Sequence, residues 1–342
     1  MKILFVDYIY QKGHVNFNRI HIDGLKAQGH KVSLALYQNM ARQLPYPETD
    51  YALFIPQKYE QRQGHPWRNR LNFLAALHYI KSRIRLTDYD KIFISSWDEL
   101  TLGLMPLTTG MYLMCHGNAA NFDCLLKRYF IKRMNKWGCH FIVFNNYMST
   151  PFLAHGIQHV HIVSHGCPPS IPSQACTIPP LYKNYLHVIF HPSSKTDASF
   201  IDSIFAHKKL QEYLAHTNTL LVLRYPNQRW TDTKYIKILT RHLDTAHYQQ
   251  FFLHADYILL AYSKQFCYQV SGISYEAVAN RKLLITLRHP SLEYCNKFYD
   301  YNTQVTDAES LLLLLKQFAR KSGHCIVRAT DLIPDYSFLS HD

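Results

Sequence analysis

The sequence predicts an α/β protein built of two Rossmann-like domains. Three stretches carry that prediction. Residues 2–36 read strand, helix, strand, the opening of a βαβ unit. The same alternation restarts at His187, behind a stretch holding five of the chain's fifteen prolines. Residues 255–286 then read apolar strand, Ser271-Gly272, helix, strand, the order in which an open parallel sheet presents a ligand-binding helix. At 342 residues the chain has the length for two domains. The expected division is 1–167, a proline-rich linker over 168–182, and 183–342, with a weakly patterned tail after Gly323 that can cross back to the first domain.

Taken in order, residues 2–6 form a buried-type strand. A loop with Gly13 and His14 follows. In a βαβ unit the loop after the first strand is where ligands bind, although a plain connector reads the same. Phe17, Ile20, His21 and Leu25 recur at helical spacing up to Gly29, and 32–36 is the second strand. Further first-half strands are expected at 51–55, 91–95, 111–115, 140–144 and 159–163, with helices at 69–84, 97–105, 122–136 and 150–155. Residues 57–70 are polar and basic and read as a loop. The second half predicts strands at 187–190, 219–223, 236–239, 255–262 and 282–286, and helices at 197–215, 245–254, from 271, and 309–321.

Composition narrows the class. The 37 Lys+Arg against 24 Asp+Glu give a formal charge of +13, which calls for an anionic partner: nucleic acid, a membrane surface or phosphorylated substrates. The apolar run 311–315 is too short to span a bilayer, and the apolar start ends at Asp7 without a cleavage-site pattern, so a cytoplasmic protein is expected. The eight cysteines, Cys176 among them, are scattered and form no Cys-x-x-Cys pair, as in reduced cytosolic chains. The phosphate-loop pattern of ATPases, the Gly-x-Gly-x-x-Gly of nicotinamide enzymes and the Gly-x-Ser-x-Gly of hydrolases are all missing. The densest histidine group, His155, His159, His161 and His165, has no Cys or carboxylate to complete a tetrahedral set, so neither a metal nor another cofactor is expected. No nucleic-acid recognition motif is present.

The chemistry candidates sit at predicted strand ends. Ser271, Gly272 and Ile273 open a helix whose N–H groups and dipole favour a phosphate, and Glu276 lies one turn further in, where a carboxylate can reach ribose hydroxyls. Lys195, Arg224 and Arg229 follow strands of the same half and can neutralise a diphosphate leaving group. His116 stands at the carboxyl end of a strand, placed to hydrogen-bond a sugar hydroxyl or shuttle a proton. The helix 122–136 carries Lys127, Arg128, Lys132 and Arg133 among aromatic residues; it reads as a face for an anionic membrane or as an ordinary solvated face.

On these residues the sequence resembles the GT-B glycosyltransferases, above all the family-four retaining enzymes, over nearly the whole chain. Phe144-Asn145-Asn146-Tyr147-Met148-Ser149, Gly156-Ile157 and Val163-Ser164-His165-Gly166 resemble the family's end of the first domain. The run 255–262, Ser271-Gly272 to Glu276-Ala277, and Lys282-Leu283-Leu284-Ile285 resemble its donor site. Gly13-His14 stands at the family's first-domain glycine loop, and His116 where many members keep a histidine near the transferred sugar. The resemblance implies two Rossmann-like domains facing a central cleft, with a nucleotide-sugar donor on the second and an acceptor on the first. It implies transfer, with retention and no obligate metal, to a hydroxyl of a surface polysaccharide or lipid-linked glycan such as lipopolysaccharide, by an enzyme peripheral to the membrane. Donor-binding residues would be Gly13, His14, Tyr268, Ser271, Gly272, Ile273 and Glu276; His116, Lys195 and Arg224 would be catalytic. Two departures stand out. Tyr268 takes the place of the first glutamate of the family's pair, and Lys195-Thr196 replaces Lys-Gly with no Gly-Arg before it. The competing readings are a nucleotide-sugar epimerase on the same fold and a non-enzymatic basic protein that binds nucleic acid.

Overall fold

The computed structural model describes residues 1–9, 14–62, 64–106, 110–172, 177–226, 229–321, 323–326 and 332–340. The chain divides into two compact units. The first comprises Met1–Gly166, Tyr268–Val270 and the C-terminal tail; the second comprises Cys167–Cys267 and Ser271–Ala329.

The first unit is built on seven parallel strands: β1 (Lys2–Asp7), β2 (Lys31–Tyr37), β3 (Tyr51–Ile55), β4 (Lys91–Ser96), β5 (Met111–Met114), β6 (His140–Val143) and β7 (Val160–Ile162). Their order is β3-β2-β1-β4-β5-β6-β7. The central strands are near-continuous apolar runs because helices cover both faces of such a sheet; Ile3 to Val6 and Ile92 to Ile94 are all buried. A register irregularity after Val6 sets Asp7 opposite Ser96. The helices are α1 (His14–Ala27), α2 (Gln38–Ala41), α3 (Pro66–Arg83), α4 (Glu99–Leu104), α5 (Leu125–Lys136) and α6 (Asn146–Ala154). Helix α3 starts within the segment read as a loop, because Pro66 occupies the first helical position, where a missing N–H costs nothing. Tail residue Tyr336 is fully buried in this unit, edge-on to Phe93 at 5.4 Å.

The second unit has six parallel strands: β8 (His187–His191), β9 (Thr219–Arg224), β10 (Ile236–Leu239), β11 (Tyr257–Leu260), β12 (Leu283–Leu287) and β13 (Gln304–Val305), in the order β10-β9-β8-β11-β12-β13. Helices α7 (Ala198–Ala206), α8 (Lys208–His216), α9 (Thr245–Leu253), α10 (Gly272–Ala279) and α11 (Ala308–Arg320) alternate with them. The expected single helix over 197–215 is two. His207 leaves the helical conformation, and its ring accepts the Leu210 N–H at 3.0 Å, capping α8. Helix α11 begins with a reciprocal cap between Asp307 and Ser310 and buries Leu311, Leu312, Leu314, Leu315 and Phe318.

Helices α4 and α5 approach closely at Gly103. A methyl group there would meet the Phe130 side chain at 2.5 Å. Gly103→Ala is therefore expected to cost about 1–3 kcal/mol through overpacking; an unchanged urea midpoint would show that the two helices are not held at this spacing.

Candidate active site

At the carboxyl ends of β1, β4 and β5 the first unit gathers a buried polar network. Asp7 accepts from Asn18 at 2.8 Å, and Ser95 donates to the Asn18 side-chain oxygen. Ser96 Oγ pairs with His14 Nδ1 at 2.9 Å. His116 Nε2 lies 2.9 Å from the Ser95 carbonyl. A carbonyl can only accept, so Nε2 carries the proton and Nδ1 keeps its lone pair. The His116 ring packs against His14 at 4.4 Å and Phe17 at 4.5 Å, and Phe17 also touches His21 and His165. Burial lowers the basicity of all four imidazoles: His165 falls to about 4, and His14, His21 and His116 also lie below the usual range. They are neutral at physiological pH, which makes His116 an oriented hydrogen-bond acceptor rather than a cation.

In the second unit the corresponding edge lies between β8 and β11. His191 bridges it, its Nδ1 at 2.8 Å from the Leu259 carbonyl and its Nε2 at 2.7 Å from the Thr196 hydroxyl; burial lowers its pKa to about 4. Thr196 and Tyr262 form an isolated antiparallel bridge. Helix α10 starts beside them. Its capping residue Ser271 is committed to the protein: its N–H donates to Tyr294 Oη at 3.0 Å, and its hydroxyl pairs with Tyr262 Oη at 2.7 Å. Gly272 is exposed, and a Cβ built there meets nothing within 4 Å. The open end of the helix is thus Gly272 and Ile273, whose N–H groups have no intrahelical acceptor. One turn in, Glu276 accepts from Tyr248 Oη at 2.6 Å, and burial raises its pKa to about 7 against that hydrogen bond. Arg224 donates to the Pro192 carbonyl at 3.2 Å and lies 2.9 Å from His242. Lys195 is exposed, its ammonium 5.8 Å from the Phe266 ring centroid. Among the described residues neither cation has a carboxylate partner.

No family model matches the chain, and no curated protein matches it significantly. Solved structures do. WaaG, a glycosyltransferase involved in lipopolysaccharide biosynthesis, is 15% identical, with TM-score 0.54 over 94% of this chain and 91% of its own. A structure described as trehalose-6-phosphate from E. coli bound with UDP-2-fluoro glucose is 12% identical, with TM-score 0.60 over 94% and 92%. The UDP-N-acetylglucosamine 2-epimerase from Rickettsia bellii is 13% identical, with TM-score 0.52 over 97% and 91%.

The chain has the GT-B fold. The likeness spans both parallel sheets, and at these identities it is a likeness of fold.

The predicted residues divide accordingly. Gly13 lies outside the described residues. His14 and His116 come together in the first unit; Lys195, Arg224, Gly272, Ile273 and Glu276 belong to the loops and helix of the second-unit edge. Ser271 keeps its place as the helix cap, but its own N–H is bound to Tyr294 and is closed to a phosphate. Tyr268 groups with the first unit, where it stacks on Tyr147 at 4.6 Å with φ at 50°, a conformation disfavoured for a bulky side chain. Arg229 is paired with Asp202 at 2.5 Å and is no free cation. On α5, Lys127 turns inward to Asn121 at 2.8 Å and the buried Glu99 at 3.8 Å, which removes it from the membrane-facing set; Arg128 approaches His155 at 3.5 Å, Arg133 covers Trp137 at 4.3 Å, and Lys132 is exposed. Among the described residues no group of three or more His, Cys, Asp or Glu could hold a metal ion. Asp7, Asn18, Ser96, Tyr248, Tyr262 and Tyr294 were not singled out from sequence; for Asp7 the signal was available, as a carboxylate ending an apolar strand.

The Glu276 carboxyl has a folded pKa of about 7 against an ordinary 4.5. A raised carboxyl contributes stability that is present below the unfolded value and lost as pH rises through the folded one. Glu276→Gln removes this dependence. The stability of the variant relative to wild type should rise by up to about 3 kcal/mol between pH 4.5 and 7 and level off above. A difference that stays constant across that window, measured by urea denaturation, would show an ordinary carboxylate.

Proposed function

We propose that this protein is a glycosyltransferase that moves a sugar from a nucleotide-diphosphate donor on the second unit to a hydroxyl of a surface polysaccharide or lipid-linked glycan on the first. The observation that supports it most is the open start of α10, with exposed Gly272 one turn from Glu276 and two cations, Lys195 and Arg224, carried by neighbouring strand ends without carboxylate partners. Such an end offers amide donors and a positive dipole to the pyrophosphate, while the carboxyl a turn later is set to bond ribose hydroxyls. As the glycosidic bond to the donor breaks, negative charge grows on the leaving diphosphate, and the cations and amides stabilise it. His116, neutral with its Nδ1 lone pair available, would accept a hydrogen bond from a sugar hydroxyl. Retention of configuration rests on the family resemblance alone.

An epimerase acting on the same donor is the second reading, favoured by the epimerase of the same fold. Incubation with donor alone separates the two, because only an epimerase makes an isomeric sugar nucleotide without acceptor.

The anionic membrane is proposed as the place of action. Helix α5 leaves Leu125, Leu126 and Tyr129 more than half exposed beside Lys132, Arg128 and Arg133, the mixture of apolar and cationic groups that settles at a lipid headgroup boundary. No described helix is long and apolar enough to cross a bilayer.

Two outcomes follow. Glu276→Ala and Gly272→Val should each weaken UDP binding about tenfold or more, roughly 1.4 kcal/mol, in calorimetric titration. Gly272→Val should leave the melting temperature unchanged because its side chain enters open space; intact affinity in both variants would remove α10 from the donor site. Lys132→Glu with Arg133→Glu should abolish co-sedimentation with phosphatidylglycerol vesicles at low salt, and equal sedimentation of the variant would leave α5 as a solvated face.

A further inference from the structure

Glu276 is held by more than its place on α10. Its carbonyl accepts from the Asn280 side chain at 2.8 Å, and the Asn280 side-chain oxygen accepts in turn from the Ile171 N–H at 2.9 Å. Its carboxyl meets a side chain of α9. Tyr248 Oη donates to Oε2 at 2.6 Å, and among the described residues Oε1 has no protein partner. Both side chains are half-buried, so the pair is neither sealed in the core nor free in water. Tyr248 is itself anchored. Asp244 caps α9 by accepting from the His247 N–H at 2.8 Å, and the Tyr248 ring stacks on the fully buried Phe252 with centroids 5.7 Å apart. The Phe251 carbonyl accepts from Tyr182 Oη at 3.2 Å, which ties down the same helix. Among the described residues, the other ionisable groups near the phenol are Arg224 at the end of β9, with His242 2.9 Å from its guanidinium, and Tyr262 after β11. Burial pushes Tyr262 up to about 12 and Tyr248 well above the ordinary phenol value, so the Tyr248 hydroxyl keeps the proton that it donates.

This one hydroxyl has two effects on the carboxyl. It fixes the rotamer: a carboxylate bound at one oxygen by an anchored phenol presents the other in one direction, where an unbound glutamate spreads over several rotamers. It also favours the ionised form, working against the burial that raises Glu276 to about 7. An ionised carboxyl accepts only, and it has room for several donors. The adjacent 2′- and 3′-hydroxyls of a ribose are such donors. We propose that Tyr248 is a positioning residue of the donor site: its hydroxyl holds one oxygen of Glu276 and turns the other to the ribose hydroxyls of a nucleoside diphosphate, which sets the preference for ribo- over deoxyribonucleotides. The recognition role rests on the reading of α10 as the donor site; the coupling between the two side chains does not.

The test compares full-length wild type with Tyr248→Phe, which keeps the stack on Phe252 and loses only the hydroxyl. The first arm is urea denaturation without ligand. A carboxyl raised in the folded state contributes stability that is lost as pH rises through its folded value, and the variant's folded value is the higher one. The stability difference should therefore hold constant below about pH 7 and widen above it, with the variant the less stable. The second arm is calorimetric titration with UDP-glucose, whose diphosphate has no proton to lose near neutrality. Wild-type affinity should rise with pH through the Glu276 transition, and in Tyr248→Phe the midpoint should stand about one unit higher. The 2′-deoxyribose form of the ligand should bind wild type about tenfold more weakly or worse, and the variant only about threefold more weakly. Glu276→Gln should bind weakly and without pH dependence; a profile that persists there belongs to His242 and overturns the assignment. A stability difference that stays constant up to pH 9, a midpoint unmoved in Tyr248→Phe, or equal discrimination by both proteins would each overturn the proposal. UDP-glucose binding that Glu276→Gln loses and Tyr248→Phe keeps unchanged sinks the positioning role alone. Absence of UDP-glucose binding by wild type sinks the donor reading and the recognition role with it, even where the first arm shows the pair coupled.

Discussion

Both sheets depend on one constraint, the right-handed crossover between parallel strands. A parallel strand cannot be reached by a tight turn, so each connection climbs over a face and lands to one side. The strand order must reverse for the chain to cover both faces. In the first unit it reverses between β1 and β4, in the second between β8 and β11. At each reversal the connections leave in opposite directions, and the carboxyl ends of two adjacent strands stand uncovered. The polar chemistry of the molecule collects at those two places. Asp7, His14 and Ser96 meet at the first; His191, Thr196, Tyr262 and Ser271 meet at the second. Neither group is contiguous in sequence, and each is assembled by strand order.

Burial then sets the charge state of these groups. The imidazoles of His14, His21, His116 and His165 crowd around Phe17 and Phe144, where solvation of a proton is poor. Each is therefore neutral and directional. His191 is neutral for the same reason, and its two nitrogens are spent tying β8 to β11 and to the loop after β8. Glu276 responds in the opposite direction, as a carboxyl must: desolvation favours its protonated form. The same low dielectric keeps these groups neutral and leaves them to act through hydrogen bonds rather than charge.

The fold was legible because buried parallel strands leave a strong mark. Runs such as residues 2–6, 187–190 and 219–223 are apolar over a strand's length, and the alternation with helical spacing needs no knowledge of contacts. Element ends were less legible. Pro66 starting α3 inside a polar segment, and His207 breaking the long helix by capping the next one, are side-chain events that periodicity does not record. The site was legible in its backbone half. Ser271-Gly272 before a helix marks an open helix start in any sheet of this type. Its side-chain half was not: Tyr248, Tyr262 and Tyr294 are three of twenty-five tyrosines, and only the fold brings them to Glu276 and Ser271. The same fold closed the Ser271 N–H, which sequence alone presented as open. Lys127 shows the converse. It belongs by composition to a basic surface helix, yet its position on α5 turns it to the buried Glu99.

The charge balance of the second unit's edge gives these facts a direction. Lys195 and Arg224 are placed there, without carboxylate partners among the described residues. Two acidic groups share that edge: Asp197, whose carboxylate caps α7, and Glu276, whose pKa burial raises to about 7 and which is bonded to a phenol. The carboxylate that the family resemblance would add is a tyrosine, Tyr268, and it packs in the first unit. The dipole of α10 adds partial positive charge at Gly272. A site so composed has two cations, an oriented set of amides and a carboxylate already committed to a helix cap. Water can solvate such a surface, but an anionic ligand offsets its positive charge and satisfies the amides at once. The nucleoside diphosphate of the proposed function is an anion of that kind. On the proposed reading, a tyrosine where the family resemblance expects a glutamate leaves the contacts to a diphosphate in place and moves any change in recognition to the sugar.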